Sequence, residues 1–288
     1  MKSNFYIESQ QFCYGFDEYL IEEFNEVKYI VPKKSSRKRV TVLAESINEA
    51  MIDILNIGKK YYYNENVSDE EILEFAHRYG LFGFMSDFSI NRYYVLDDTV
   101  ALRDYNLIEY KDYVSTMELK DYMKIFMPKS TEKQIETLIL KCRKIIKPTV
   151  MEKYLTPELN ELLIFSENYA EPVYMFEQYA KLLYTTLTNI TENKHAFTKL
   201  DTFKLNNLSN DIDRINSSGI CLKYNYLKQG IDLNMIVHLT QDIRMLKICK
   251  FCHKPFIATN QKAEYDTPQC KNKSNVYKFR KRAQEDDV

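Results

Sequence analysis

Several residue types on which common functional motifs depend are scarce in this chain of 288 residues. It contains six glycines, and none of them belongs to a Gly-rich loop of the kind that holds nucleotide phosphates. It has four histidines, with no His-Glu-x-x-His segment and no nucleophile-elbow pattern, so hydrolytic catalysis has no motif to support it. We therefore expect that the protein is not an enzyme.

Long apolar runs are also absent. The first 20 residues lack the apolar core of a signal peptide, and no segment approaches the roughly 18 consecutive apolar residues of a membrane span. We expect a cytoplasmic protein that does not enter a membrane. With 45% apolar and 28% charged residues, the composition is typical of a folded globular chain.

The spacing of apolar residues predicts a mainly helical body, of class α+β with a small β component. Capping-box sequences predict helix starts at 46–49 and 68–71. A β-hairpin is predicted near the N-terminus, where strands over 27–31 and 40–43 flank a basic loop. The other predicted elements are helices starting at 115–118, 131–134 and 156–157 (the last ending near Glu171), a helix through Met175, a polar loop over 191–219, a strand over 220–226 and a helix over 234–246.

Three of the six cysteines lie close together near the C-terminus. Cys249 and Cys252 are separated by two residues, a spacing that directs two thiolates at one tetrahedral metal ion. Thr267 and Pro268 predict a helix start, which places Cys270 in the first turn of a terminal helix. We call the Cys249–Cys252 turn the knuckle, and a hairpin is predicted after it over 257–265. A knuckle, a hairpin and then a ligand at the start of a helix is the order of elements in a treble-clef zinc finger.

Three thiolates leave one position of a tetrahedral zinc site to fill. Asp266 lies just before Cys270 and offers a carboxylate, which is an accepted zinc ligand. His253 directly follows the knuckle and is the alternative. The sequence also allows that Asp266 only caps the helix, that His253 only lies at the surface, and that no metal is bound. A Zn²⁺ ion closed by four protein ligands would be structural.

The terminal segment resembles the C-terminal signature of bacterial CGNR-type zinc-finger proteins. The similarity covers about 247–283 and includes the aromatic positions Phe256 and Tyr265. The signature residues that match are Cys270, Asn272, Val276, Arg280 and Arg282, with Lys273 where an arginine is expected. Lys271 replaces the glycine of the signature, and Asp266 stands where a cysteine is usual. The resemblance implies a DNA-binding transcriptional regulator with an N-terminal sensing domain.

The distribution of charge points in the same direction. Residues 247–282 contain eight lysines and two arginines against two acidic residues, whereas the rest of the chain has 30 basic and 39 acidic residues. A basic end on an acidic body is typical of phosphate binding, with DNA favoured over RNA. Val276 and Phe279 are predicted to pack inward on the terminal helix. The candidate nucleic-acid contacts are Lys271, Lys273, Lys278, Arg280, Lys281 and Arg282.

We therefore divide the chain into a helical body over 1–246, a zinc-finger module over 247–283 and a tail over 284–288, with a sub-boundary near 148 left open. An alternative is a protein-interaction module, in which the basic helix docks on acidic groups of the body and buries Arg280 and Lys281. A small-molecule or protein effector of the body and a homodimer also remain open. The Glu-x-x-His pairs ending at His77 and His195 are a weak indication of a di-iron site, and we interpret His77 as structural.

Overall fold

The computed structural model describes residues 5–6, 12–42, 46–88, 94–102, 115–145, 166–192, 212–216, 219–222, 226–240 and 246–286. Within these ranges the chain is mainly helical with several small sheets, which confirms the predicted mainly helical class. The helices are α1 (Ile47–Tyr62), α2 (Asp69–Tyr79), α3 (Phe84–Phe88), α4 (Leu119–Phe126), α5 (Glu132–Ile145), α6 (Val173–Glu192), α7 (Leu227–Thr240) and α8 (Pro268–Asp286).

The strands are short and form five separate sheets. They are β1 (Phe5–Tyr6), β2 (Phe12–Phe16), β3 (Tyr19–Phe24), β4 (Val27–Pro32), β5 (Lys38–Val42), β6 (Thr99–Leu102), β7 (Ser115–Glu118), β8 (Glu171–Pro172), β9 (Ile212–Asn216), β10 (Gly219–Leu222), β11 (Leu246–Ile248) and β12 (Pro255–Ile257). The sheet orders are β1–β10–β9, β2–β5, β3–β4–β8, β6–β7 and β11–β12, and the β1–β10 pair alone among these is parallel.

Helices α1 and α6 pack against each other in the main core. Their close approach depends on Gly58, because a Cβ built at this position would lie 2.0 Å from the carbonyl oxygen of Ala180. Aromatic side chains fill the space beside the two helices, including Phe75, Phe82 and Phe176, whose ring centroids lie 5.3 to 5.5 Å apart. The body therefore has one main, aromatic-rich core, and Tyr29, Val31 and Ala170 form a small second cluster.

The predicted N-terminal hairpin has the right strands but the wrong partners. Strand β4 pairs with β3 through a two-residue turn at Asn25 and Glu26, which adopt φ of 49° and 64°. Strand β5 pairs instead with β2. A two-residue turn with left-handed backbone suits the twist of paired strands and costs less entropy to close than the longer loop over 33–37.

Two of the predicted helix starts are confirmed by their hydrogen bonds. The amide of Glu71 donates to the Ser68 hydroxyl, and the Glu71 carboxylate accepts from the Ser68 amide, which completes a capping box. Thr131 and Gln134 exchange the same pair of bonds before α5. The box at Ser46 does not form, because its backbone is already helical and no amide donates to its side chain.

Other element boundaries correct the predictions. Residues 115–118 form β7, so that helix begins at Leu119 rather than at Ser115. Strand β9 occupies part of the predicted loop over 191–219, and α7 begins at Leu227 rather than at 234. The chain turns at 166–168 and enters β8, so the helix predicted from 156 does not reach Glu171. The predicted start at 156–157 and the sub-boundary near 148 lie outside the described residues.

Candidate metal centre and basic helix

The first two candidate ligands lie in the turn of a small hairpin. Strands β11 and β12 are antiparallel, and the segment between them carries Cys249 and Cys252. The Cys249 amide donates to the Lys254 carbonyl at 2.9 Å, and the His253 amide donates back to the Cys249 carbonyl at 3.0 Å. This corrects the hairpin predicted over 257–265: the hairpin encloses the knuckle, and residues 258–267 run as turns and bends.

The third thiol is placed by the start of α8. Pro268 is its first residue, as predicted, and the Thr267 hydroxyl accepts a hydrogen bond from the Cys270 amide at 3.2 Å. Proline fits this position because its missing N–H would have no partner in the helix. Cys270 therefore lies in the first turn, where the helix dipole favours a negative ligand.

Four ligand atoms converge between the hairpin and the helix. The sulfur atoms of Cys249, Cys252 and Cys270 and a carboxylate oxygen of Asp266 all lie within 4.8 Å of one another, and the group could hold a metal ion. The Cys249 sulfur is 3.2 Å from Asp266 Oδ1, and the Cys252 sulfur is 3.6 Å from Oδ2. These values lie close to the edge of about 3.5 Å between sulfur and oxygen ligands around a tetrahedral ion.

Burial and mutual hydrogen bonding act on the protonation of these groups. Burial, together with hydrogen bonding to Cys249 and Cys270, raises the pKa of Cys252 to about 12. Burial by itself would raise the pKa of Asp266, but hydrogen bonds from the three thiols outweigh it and lower that pKa. Three crowded thiols beside a carboxylate are the arrangement that a divalent cation would stabilise in the thiolate form.

His253, the alternative fourth ligand, does not belong to this group. Its side chain is exposed, and its ring centroid lies 6.0 Å from that of Tyr63 at the end of α1. Its carbonyl oxygen accepts a hydrogen bond of 2.8 Å from the hydroxyl of Tyr184 on α6. The structure thus brings Asp266, and not His253, to the three thiols, and it uses His253 to hold the knuckle against the body.

The hairpin is part of the main core. Leu246 is buried, and Ile248 and Ile257 pack against the body as partly buried side chains. Tyr184 also contacts the rings of Tyr62 and Tyr63 at 5.3 and 6.3 Å between centroids. Our sequence reasoning missed these tyrosine contacts, since nothing in the local pattern links residues more than 60 positions apart.

Helix α8 carries all six of the predicted nucleic-acid contacts. Lys271, Lys273, Lys278, Arg280 and Lys281 are all exposed. Arg282 belongs to the same helix, but its side chain lies outside the described part of the chain.

The predicted inward packing of Val276 and Phe279 is wrong. Val276 is 50% exposed and Phe279 is 74% exposed. The buried side of the helix is short: it contains Ser274, whose hydroxyl is 3.1 Å from that of Tyr265. The side chains from 275 to 281 are exposed, so within the described part of the chain Val276 and Phe279 are not packed into a core.

Two buried polar networks lie elsewhere in the body. The Glu171 carboxylate accepts hydrogen bonds from the amides of Phe82, Gly83 and Phe84 and from the Tyr169 hydroxyl. Burial raises the pKa of Glu171, although these hydrogen bonds oppose it. Since each bond fixes one segment of chain to another, we interpret the network as structural.

The second network joins α6 and α7. Lys228 and Asp232 form a buried ion pair at 2.8 Å, and the Tyr179 hydroxyl lies 3.0 Å from Asp232. His77, one of the histidines weighed for a di-iron site, has its Nε2 atom 3.1 Å from the Tyr19 carbonyl, a contact consistent with a structural role. His195 lies outside the described residues.

Comparison of the chain with protein-family models, with curated proteins and with solved structures finds no match. In the part of the chain that the structure describes, none of the helices has the length and apolar character to span a bilayer.

Proposed function

We propose that this protein binds DNA through α8, and that a structural Zn²⁺ ion held by Cys249, Cys252, Asp266 and Cys270 fixes that helix to the body. In this proposal the hairpin, the ligand loop and the helix form a treble-clef-like finger. The observation that carries the proposal is the emergence of an exposed basic helix directly from the group of ligands. The resemblance to CGNR-type proteins supports a regulatory role, with the helical body as a sensor.

Zinc suits the ligand set because cysteine thiolates predominate in its structural sites and a carboxylate oxygen is an accepted zinc ligand. When bound, the ion would supply folding free energy and hold the thiols as thiolates. Four protein ligands would complete a tetrahedral coordination and leave no position for a substrate. The chemistry of the site therefore favours a structural role.

The alternative of a protein-interaction module makes a different demand on the basic helix. It requires Arg280 and Lys281 to be buried against carboxylates of the body, whereas both are exposed. The exposed guanidinium of Arg280 is accessible to phosphates, and this difference favours DNA binding.

The test is a titration of a fluorescent duplex with zinc-loaded protein at several salt concentrations. Each phosphate contact releases counterions, so we expect the logarithm of affinity to fall linearly with that of salt, by about 0.9 per contact. Reversing two charges with Arg280→Glu and Arg282→Glu should weaken binding by about a hundredfold or more at low salt.

The matched control reverses two exposed lysines of α5, Lys133→Glu and Lys141→Glu, which gives the same change in net charge. We expect this variant to keep most of the affinity. Equal losses in both variants would mean that only total charge matters. Absence of binding at low salt, or binding that salt does not affect, would contradict the proposal.

A further inference from the structure

The exposed part of α8 has a regular arrangement of side chains around its axis. With 3.6 residues per turn, Cys270 and Ser274 face the metal group and the body. On the opposite side lie Asn272, Val276 and Phe279, at the spacing of four and three residues that forms one stripe. All side chains from 275 to 281 are exposed, so this stripe is open to a partner.

Basic residues border the stripe on both of its long edges. Lys273 and Arg280 lie one helical step to one side of it, and Lys271 and Lys278 lie to the other side, all of them exposed. The outward surface is therefore an apolar and amide centre between two rows of cations. A helix without a binding partner is not expected to have this arrangement. Val276 is 50% exposed and Phe279 is 74% exposed, and contact of apolar surface with water is unfavourable.

We propose that this outward stripe reads base edges in the major groove of duplex DNA, with Val276 and Phe279 in apolar contact with bases and Asn272 beside them. The inference rests on the DNA binding proposed above and adds the residues that select sequence. A major groove about 12 Å wide admits one α-helix, and its two walls are rows of phosphates. The two rows of cations match those walls, and the stripe between them faces the base edges.

Charge complementarity favours this occupant over a second copy of the chain. Two α8 helices packed stripe to stripe would bring their basic rows together, and like charges at such a contact are unfavourable. Apolar contact with a base edge does not bring two basic rows together. Thymine methyl groups are suitable for such contact, and an Asn side chain can pair with adenine.

The experiment selects duplexes from a random library with full-length, zinc-loaded protein and compares the best selected duplex with a shuffled one. We expect a preference of about tenfold or more, the discrimination that one or two good base contacts provide. Val276→Ala and Phe279→Ala should reduce that preference to near one. Their affinity for the shuffled duplex should change by less than about twofold, since phosphate contacts are kept.

Tyr277→Ala is the matched control, because Tyr277 is 69% exposed on the same helix but points away from the stripe. It should keep the preference of the wild type. All three side chains are exposed, so the variants should retain the zinc content and melting temperature of the wild type, which are measured first.

The outcomes separate the two proposals. Wild-type protein that binds both duplexes equally, or a Phe279→Ala variant that keeps the preference, overturns the base-reading stripe and leaves DNA binding intact. A dimeric wild type that Phe279→Ala converts to a monomer, with unchanged sequence preference, assigns the stripe to protein contact and also overturns it. Zinc-loaded wild type that binds neither duplex overturns both.

Discussion

Asp266 alone among the four candidate ligands offers a carboxylate, which lies near the sulfur atoms of Cys249 and Cys252. Replacing it with alanine leaves three ligands, so we expect Asp266→Ala to weaken zinc binding by about tenfold or more, at least the loss typical for a residue that only supports a ligand. Asp266→Cys restores a fourth ligand and should bind at least as tightly as the wild type. Competition against a chromophoric chelator measures both affinities.

His253→Ala is the control for this experiment, since His253 is outside the group of ligands. Under the proposed function, it should bind one zinc per chain, as we also expect of the wild type. Loss of zinc in His253→Ala together with retention in Asp266→Ala would reverse the assignment of the fourth ligand.

The buried Glu171 carboxylate connects two segments of the chain through its hydrogen bonds. It accepts from three consecutive amides and from Tyr169, and glutamine would bring an NH₂ group into a site where only donors face it. We expect Glu171→Gln to lower the free energy of unfolding by about 2 kcal/mol or more. Urea unfolding measures this, with the exposed Glu167→Gln as a control that should change little.

The pH dependence of stability should include a contribution from His238. Burial lowers the pKa of His238, and its Nε2 lies 2.8 Å from Asn48 Oδ1. In the unfolded chain this histidine takes up a proton near pH 6.5, about its ordinary value, whereas the folded protein does so only at lower pH. Acidification through that range therefore favours unfolding.

We expect the fall in unfolding free energy between about pH 7 and pH 5 to be smaller in His238→Gln, which removes the titrating group. Urea unfolding of metal-free protein at both pH values measures it, because chelation removes the separate effect of proton competition at the thiols. An equal fall in both proteins would contradict the assignment.

At the scale of elements, the contact between α1 and α6 should be disturbed by a single methyl group added at Gly58. A Cβ at Gly58 would lie 2.0 Å from the Ala180 carbonyl oxygen, so the helices would have to move apart. We expect Gly58→Ala to destabilise the protein by about 1–3 kcal/mol even though alanine favours helix formation. Lys59→Ala, next to it in α1, should change stability by much less, as measured by thermal unfolding.

Local signals in the sequence predicted elements better than they predicted partners. The capping box at Ser68 and the start of α8 at Pro268 depend on neighbours in the chain, and both are confirmed. The partner of β5 and the position of the hairpin near the C-terminus depend instead on which strands pair with each other. Both predictions were wrong, because β5 pairs with β2 and the C-terminal hairpin is formed by β11 and β12.

In the candidate site, too, features set by neighbours in the chain were predicted better than contacts between distant segments. Ligand type and spacing predicted the three cysteines that converge, but they left the fourth position open between Asp266 and His253. The inward face of α8 was predicted from apolar residues alone, and this failed because the body provides a surface only as far as Ser274. The contact of Tyr184 with His253 joins two distant segments, and no local pattern encodes it.

At the scale of the whole molecule, the finger and the body should unfold together. Cys249 is fully buried, and the flanking strands contribute Leu246, Ile248 and Ile257 to the main core. A chelator that removes zinc should therefore lower the melting temperature of the body by about 5 °C or more, as followed by far-ultraviolet circular dichroism. A body transition that chelation does not move would show that the finger is energetically independent.

Tyr184→Phe tests the connection between the two. It removes the hydroxyl that donates to the His253 carbonyl and keeps the ring among Tyr62 and Tyr63. We expect chelation to change the melting temperature of this variant less than that of the wild type. An equal change would mean that apolar packing of the strands carries the coupling alone.

Helix α8 is anchored near its N-terminal end, where Cys270 belongs to the four candidate ligands. Its 19 residues extend about 28 Å, and Cys270 is the third of them. A tilt of about 10° at that residue would move the far end by about 4 Å, more than the roughly 3.4 Å between successive base pairs. A small shift of the Cys249–Cys252 turn on the body would therefore become a larger shift at the far end of α8. In the proposed complex with DNA, such a shift would change the base pairs that the helix faces.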